Sequence, residues 1–234
     1  MGKRLIQQRR GRGTKTYTSP GFRFKGAAKH TAFETSGIVV DLVHCAGHST
    51  PLMRISYLTG DSGLTFAPKG IKVGDSINVG SGSEIGVGNV LPLSEIPEGT
   101  LIHNIELRPG DGGKLVRTSG TSAKVVAKTD STVKVVLPSK KEKIFLSKCR
   151  ASIGVLSGSG RCDKPFLKAG TRFKKMRAKN KLYPKVCGIS MNAVDHPFGG
   201  KCSHIKGRPT QSSRHAPPGR KVGKIAPRRT GKKR

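Results

Sequence analysis

The basic residues of this chain are concentrated at its two ends, and this placement limits what the ends can fold into. The chain carries 45 lysines and arginines against 13 acids, a net charge of +32 over 234 residues. Residues 1–30 hold nine basic residues and no acid, residues 200–234 hold twelve and no acid, and eleven acids lie between Glu34 and Glu142. Because like charges repel, the sequence predicts a near-neutral folded body with two extended basic arms that become ordered on a partner.

The charge surplus indicates a polyanionic partner, because internal ion pairs cannot neutralise it. The basic runs alternate with glycine and proline, and their arginine forks match phosphate oxygens. With 8 Phe, 3 Tyr and no Trp, the chain is poor in stacking platforms for single strands, which favours recognition of folded RNA by its phosphates, riboses and shape. The predicted RNA-binding residues of the runs are Lys3, Arg4, Arg9, Arg10, Arg12, Arg172, Lys174, Lys175, Arg177, Arg208, Arg214, Arg220, Lys221, Arg228 and Arg229.

The middle of the chain has the pattern of short β-strands. Runs of six to nine residues, rich in Val and Ile, alternate with turn residues, as half-buried strands do. The predicted strands are 37–43, 52–58, 71–79, 100–107, 123–128, 132–138, 142–147 and 151–157. Because no helical period intervenes, this spacing predicts small antiparallel barrels rather than an α/β sheet.

The predicted organisation is a mainly β chain with an N-terminal arm (1–30), a first barrel (31–83), a second barrel (84–175) and a C-terminal arm (176–234). The glycine-rich stretch 79–89 is the predicted seam between the two groups of strands. Alternation in the strand 100–107 places Leu101, His103, Ile105 and Leu107 on one face. A helical pattern occurs only at 163–181, where Gly170 weakens it.

The cysteines and histidines lack the spacing of a zinc site, which needs four donors. The run HCAGH (44–48) has no matched second pair, and Cys187, Cys202 and His204 supply only three donors. We therefore predict no metal site and no cofactor, although zinc binding remains open. Five widely spaced cysteines indicate a reducing, cytoplasmic location, and no run of about 20 apolar residues predicts a membrane span.

The stretch CGISMNAVDHPFGGKCSHIKGRP (187–209) has no strand or helix period, yet it places Asp195 beside His196. A carboxylate beside an imidazole could orient a general base. Neighbouring side chains usually point apart, however, and this loop has little apolar material with which to wall a pocket. We therefore predict a turn in which Asp195 caps backbone N–H groups, Pro197 stiffens the chain, and Gly199 and Gly200 allow close approach to another surface.

Four stretches carry a family resemblance: GNVLPLSEIPEGTLIHNIELRPGDGGKLVRTSGTSAKV (88–125), GSGRCDKPFLKAG (158–170), GISMNAVDHPFGG (188–200) and APPGRKVGKIAPRRTG near the end. They resemble the universal large-subunit ribosomal protein family that is conventionally numbered two. The resemblance covers nearly the whole chain, and the short tail is similar to the archaeal and eukaryotic cytosolic type. Ala193 stands where the family motif more usually has proline, and Lys201 stands where it has a third glycine.

The resemblance implies an oligonucleotide-binding-like barrel followed by an SH3-like barrel, with arms threaded through large-subunit ribosomal RNA. It implies a structural constituent of the ribosome in the cytoplasm, which helps to organise the peptidyl-transferase region and supports subunit association and tRNA binding. The implied partners are ribosomal RNA with its Mg²⁺, neighbouring ribosomal proteins and the small subunit. The motif residues implied to contact RNA are Met191, Asn192, Asp195, His196, Pro197, Gly199 and Gly200.

Alternatives to a non-enzymatic ribosomal role stay open from the residues alone. An architectural DNA binder fits the composition, but it calls for wedge residues or groove-reading helices that the sequence does not show. A hydrolase or nuclease built on Asp195 and His196 requires a pocket. Direct participation of His196 in peptidyl transfer is a minor alternative, because the ribosomal RNA is expected to carry that reaction.

Overall fold

The mainly β prediction is confirmed by the structure. The computed structural model describes residues 2–200 and 210–227, with 27% of the residues in strands and 10% in helices. The chain divides into two compact units, which we call the barrel unit (Gly21–Leu167) and the terminal unit (Met1–Pro20 with Lys168–Arg234). The prediction of extended arms is not confirmed, because residues 2–20 and the described residues after Leu167 belong to one compact unit, and residues 21–30 belong to the barrel unit. The boundaries predicted at 30, 83 and 175 stay predictions.

The barrel unit contains ten strands and a short 3₁₀ turn, Gly21–Arg23. The strands are β1 (Thr35–Val43), β2 (Leu52–Tyr57), β3 (Ser62–Phe66), β4 (Ser76–Val79), β5 (Val90–Pro92), β6 (Leu101–His103), β7 (Ala123–Lys128), β8 (Thr132–Val136), β9 (Glu142–Leu146) and β10 (Arg150–Ile153). The terminal unit contains α1 (Ile6–Gly11), α2 (Ala169–Ala178), a 3₁₀ turn (Gly188–Ser190), β11 (Gln211–Ser212) and β12 (Lys224–Ile225). In the described part of the chain, no helix has the length and apolarity needed to cross a membrane.

The ten strands form one sheet in the order β3-β2-β1-β4-β5-β10-β6-β7-β8-β9. All its pairings are antiparallel except that of β4 with β5, where Val79 pairs with Val90 in parallel. The glycine-rich stretch 79–89 connects these two strands, so it lies where the two strand groups meet. Each group covers its own apolar core, with Met53, Ile55 and Ile77 in the first and Ile102, Val125 and Val133 in the second.

All eight predicted strands overlap observed strands, but β3 and β5 of the barrel unit and the two-residue strands β11 and β12 of the terminal unit were missed. β3 begins within a turn-like sequence and contains Gly63, where a Cβ would lie 2.8 Å from the Tyr57 ring. β5 is only three residues long and ends at Pro92. The helical pattern at 163–181 is confirmed by α2, whose second residue is Gly170.

The predicted alternation across 100–107 was wrong. β6 ends at His103, and Asn104 has a φ of 48°, so the chain leaves the extended conformation at that residue. Leu101 and Leu107, predicted to share one face with His103 and Ile105, are 42% and 40% exposed, whereas His103 and Ile105 are fully buried. A residue with left-handed backbone geometry shifts every later side chain off the two-residue period.

A buried ion pair fixes the start of β10 against the loop after β6. The Glu106 carboxylate is fully buried, accepts a hydrogen bond from the Arg150 guanidinium at 3.0 Å, and also accepts N–H groups from Gly110 and Gly112. Burial alone would raise the pKa of this carboxyl, but Arg150 and the backbone donors hold it below its usual value. The second guanidinium nitrogen of Arg150 donates to the Thr31 carbonyl at 2.8 Å, so the pair also holds the segment before β1.

Two histidines are buried beside this pair. The ring of His30 donates from Nε2 to the Asn104 carbonyl at 2.7 Å, and the Nδ1 atom of His103 lies 2.9 Å from the Gly154 carbonyl. Burial is the main cause that lowers the pKa of each from 6.5 to about 4, because it disfavours the charged ring. Both rings are therefore neutral in the folded barrel unit at neutral pH.

We predict that the chain loses stability as the pH falls from 6.5 to 4. In this window the unfolded chain protonates both rings while the folded chain does not, so the free energy of unfolding falls by about 1.4 kcal/mol per pH unit for each histidine. Urea unfolding followed by circular dichroism at stepped pH measures this slope. The variant His30→Gln should lower this slope by about 1.4 kcal/mol per pH unit, which is the contribution of one proton.

The control for this prediction is His215→Gln, which changes an exposed histidine of the terminal unit. This variant should keep the wild-type slope. An unchanged slope in His30→Gln would mean that His30 does not resist protonation in the folded chain.

Candidate nucleic-acid interface

The two units differ sharply in charge. The sequence of the terminal unit contains 26 basic residues and one acid, Asp195, whereas that of the barrel unit contains 19 basic residues and 12 acids. Charge of one sign at this density attracts a polyanion and repels other cations. The terminal unit is therefore the candidate nucleic-acid interface of the molecule.

Most of the cations predicted to bind RNA are exposed. Lys175 and Lys221 are half-buried. The exposed members of the set are Lys3, Arg4, Arg9, Arg10, Arg12, Arg172, Lys174, Arg177, Arg214 and Arg220. Arg208, Arg228 and Arg229, together with Cys202 and His204 of the possible zinc group, lie outside the described residues. Exposed guanidinium and ammonium groups remain accessible to phosphate oxygens.

A hydrogen bond to a side chain fixes the first turn of α1. The backbone N–H of Leu5 donates to Oε1 of Gln8 at 2.8 Å, which is one half of a capping box. Leu5 is buried, whereas Arg9 and Arg10 in the last turn are exposed. Cations at this end of a helix are stabilised by its dipole. The two arginines are therefore favourably placed while they face solvent.

The loop of residues 191–200 is closed by its own backbone hydrogen bonds. The N–H groups of Asp195 and His196 both donate to the Asn192 carbonyl, at 2.9 and 3.2 Å, and Gly200 N–H donates to the Met191 carbonyl at 3.2 Å. The Lys3 N–H donates to the Val194 carbonyl at 2.8 Å. The loop therefore has a defined conformation within the protein, held by the N-terminal segment.

The glycines of this loop have an internal role beside the predicted contact with another surface. A Cβ on Gly199 would collide with the Asn192 carbonyl, and a Cβ on Gly188 would collide with the His196 ring. Both positions need glycine because the protein itself approaches closely there. The role of Gly199 and Gly200 at an external surface stays a prediction.

The His196 ring is oriented by contacts within the loop. Its Nδ1 atom accepts the N–H of Phe198 at 3.0 Å, and the two rings pack edge to face with centroids 5.1 Å apart. Partial burial lowers the pKa of His196. The neutral ring then carries its proton on Nε2, which is a donor suited to a phosphate or ribose oxygen.

Asp195 and His196 have different partners in the structure. The Asp195 carboxylate lies 3.8 Å from the Lys3 ammonium, with the side chains 44% and 63% exposed, and a pair so open to solvent contributes little stability. Since Nδ1 of His196 already accepts the Phe198 N–H, it does not carry the proton that a dyad would donate to Asp195. Within residues 2–200 and 210–227, no group of three or more His, Cys, Asp and Glu side chains could hold a metal ion.

The structure brings part of the predicted site together. A cleft of about 410 Å³ is lined by Lys3, Arg4, His196 and Pro197, together with Gly219 of the C-terminal segment. That segment forms a loop closed by the parallel pairing of β11 with β12, and it carries Arg214, Arg220 and Lys221. The cations of α2 are not among the residues that line this cleft.

Comparison with known proteins decides the family. The family model described as "Ribosomal Proteins L2, C-terminal domain" matches residues 86–220, more than half of the chain. The chain is 51% identical to large ribosomal subunit protein uL2 of Methanothermobacter thermautotrophicus over the full length of both. It is 49% identical to the protein of the same name from Methanocaldococcus jannaschii, over 99% of each chain. The chain belongs to the uL2 family. The resemblance found from the motifs is confirmed.

Sequence reasoning missed one basic cleft in the barrel unit of this uL2-family chain. It measures about 560 Å³ and is lined by Lys25, Lys29, Arg54 and Tyr57, with Asp61 as its one acid. Lys25 and Lys29 were assigned to the basic N-terminal arm and Arg54 stands alone in β2, so no charge run joins the three cations. The fold brings them together because the Lys29 N–H donates to the Leu64 carbonyl of β3, and β3, which was itself missed, pairs with β2.

We predict that Gly199→Ala opens the 191–200 loop without unfolding the chain. The added methyl must displace the Asn192 carbonyl, and such overpacking costs roughly 1–3 kcal/mol. Hydrogen exchange measured by mass spectrometry should show faster exchange of the amides of Asp195, His196 and Gly200, about tenfold or more.

Gly170→Ala is the matched control, because a Cβ there meets nothing within 4 Å in α2. That variant should leave exchange in the loop unchanged. Equal exchange in wild type and Gly199→Ala would show that the glycine is not required for the loop conformation.

Proposed function

We propose that this chain is a non-enzymatic structural constituent of the large ribosomal subunit that binds large-subunit ribosomal RNA through its terminal unit. The observation that carries the proposal is the charge of that unit, with 26 basic residues, one acid and most of the described cations exposed. The uL2 relatives are named large ribosomal subunit proteins, which supports the choice of RNA.

The loop geometry supports a positioning role for the motif residues. The neutral His196 ring offers Nε2–H as a donor beside Lys3 and Arg4, which line the same cleft. This combination suits phosphate and ribose oxygens better than it suits proton transfer, since the Asp195 carboxylate lies by Lys3. Mg²⁺ would accompany the RNA phosphates, because the single acid of the terminal unit offers few oxygen ligands of its own.

The finer roles in the proposal are to help organise the peptidyl-transferase region and to support subunit association and tRNA binding. They are supported by the match of residues 188–200 to the family motif. Neighbouring ribosomal proteins and the small subunit are the further partners in this proposal, with the ribosome of the cytoplasm as the location.

We predict that the terminal unit supplies most of the salt-dependent affinity for RNA. Binding of the full chain to large-subunit ribosomal RNA and to length-matched duplex DNA is measured across a salt series. The triple variant of Arg9, Arg10 and Arg12 to Ala should reduce the slope of log affinity against log salt by about 2–3, because each phosphate contact contributes about 0.7–0.9.

The matched control removes three exposed lysines of the barrel unit, Lys140, Lys141 and Lys148. It should change the slope much less. Equal effects of the two triple variants would assign the affinity to net charge alone, and equal affinity for RNA and DNA at high salt would contradict selective binding of ribosomal RNA.

A further inference from the structure

The terminal unit contains a second cleft, away from the 191–200 loop, in which aromatic side chains are concentrated. It has a volume of about 260 Å³ and is lined by Tyr17 from the N-terminal segment, Phe173 and Arg177 from α2, and Lys181 and Tyr183 after that helix. A cavity below roughly 300 Å³ is small for a drug-sized ligand. It suits a single planar ring.

The aromatic residues of the chain are distributed in a way that marks this cleft. The chain has three tyrosines, and two of them, Tyr17 and Tyr183, line it. The third, Tyr57, is 7% exposed in the barrel unit, where it packs in the core and also lines the basic cleft. Phe173 is 44% exposed at the cleft, so its ring faces solvent in the free protein instead of a core.

Specific contacts hold the walls of the cleft in place. The Asn180 amide donates to the carbonyls of Lys15 and Thr18 at 3.1 and 2.9 Å, which fixes the segment on either side of Tyr17 to the end of α2. The guanidinium of Arg172 lies 5.3 Å from the centroid of the Tyr183 ring, a cation–π contact that orients this ring. Contacts within the protein thus position both tyrosines that line the cleft.

The charge at the cleft selects an anionic partner. Arg177 and Lys181 lie among the lining residues, which include no acid, and the one acid in the sequence of the whole unit is Asp195. An apolar side chain of a protein partner would gain nothing from these cations. A nucleotide offers both a flat ring for the aromatic walls and a phosphate for the cations.

We propose that this cleft receives a single unstacked base of the bound RNA, with Arg177 and Lys181 contacting the phosphate of the same nucleotide. The inference rests on the proposed function and adds a specific type of contact to it. Aromatic side chains stack on any base, because every base has a π face, and RNA presents unstacked bases at bulges and loops. The contact would select the shape of an RNA site rather than its charge.

The test uses the full chain and two RNA duplexes with one bulged nucleotide each, identical except that the bulge carries either 2-aminopurine or an abasic analogue. The two probes have the same number of phosphates and the same bulge, so their affinity ratio isolates the base. Wild type should bind the base-bearing bulge at least about fivefold more tightly. The fluorescence of the 2-aminopurine in the bound RNA should be quenched as this base stacks on a tyrosine.

The double variant Tyr17→Ala with Tyr183→Ala should lose both the preference and the quenching. The double variant to Phe should keep the preference, since it retains the rings and the fold. Phe22→Ala, which removes an aromatic ring of the barrel unit that is 86% exposed, should behave as wild type.

Three results would overturn the inference. They are equal affinity of wild type for the two bulges, a preference that survives the double alanine variant, and a preference lost equally in Phe22→Ala. Whether the protein binds ribosomal RNA selectively at all is measured separately, by the salt series on ribosomal RNA and duplex DNA. If the protein selects ribosomal RNA but does not distinguish the two bulges, the proposed function stands and only the inference about this cleft is rejected.

Discussion

Electrostatic repulsion limits how the terminal unit can be held together. Twenty-six cations with one carboxylate cannot be paired internally, so the unit is held by other forces. Its described residues are held by backbone hydrogen bonds, such as that from the Lys3 N–H to the Val194 carbonyl, and by side-chain hydrogen bonds, such as that from the Asn180 amide to the Lys15 carbonyl. α2, whose ten residues are all described, buries none of its side chains. An anionic partner would therefore relieve repulsion as well as add contacts.

The barrel unit solves the opposite problem, since its charges are nearly balanced and its strands enclose apolar cores. Its one deeply buried charge, Glu106, is neutralised by Arg150 and by backbone donors. A buried pair of this kind contributes less net stability than its geometry suggests, because both ions lose hydration. Arg150 also binds the Thr31 carbonyl. The pair therefore fixes the position of the segment that enters β1.

Regular local patterns explain which parts of this fold were predictable. Strands such as β7 and β8 follow from Val-rich runs between turn residues, and α2 was visible despite Gly170. β3 was hidden because its glycine is needed against the Tyr57 ring, which is a tertiary contact. The alternation after His103 failed because the left-handed Asn104 is set by its surroundings and not by a sequence period.

The candidate site was predictable to a similar degree. The charge runs and the motif at 188–200 identified the cations and His196. The sequence did not show that Phe198 orients the His196 ring or that Tyr17 and Tyr183 share a cleft, because these contacts join positions that only the folded chain brings together. The basic cleft of the barrel unit was missed for the same reason.

The pairing of the two chain ends in one unit has a consequence for biosynthesis. Residues 1–20 leave the translating ribosome before the barrel unit does, yet their partners follow the 147 residues of Gly21–Leu167. At roughly 5–20 residues per second, about 7–30 s pass before those partners are made. During that time the barrel unit can already fold, while the cationic N-terminal segment stays unpaired in the nascent chain. A factor that shields this segment from other nucleic acids would have to act during translation, before residue 194 is synthesised.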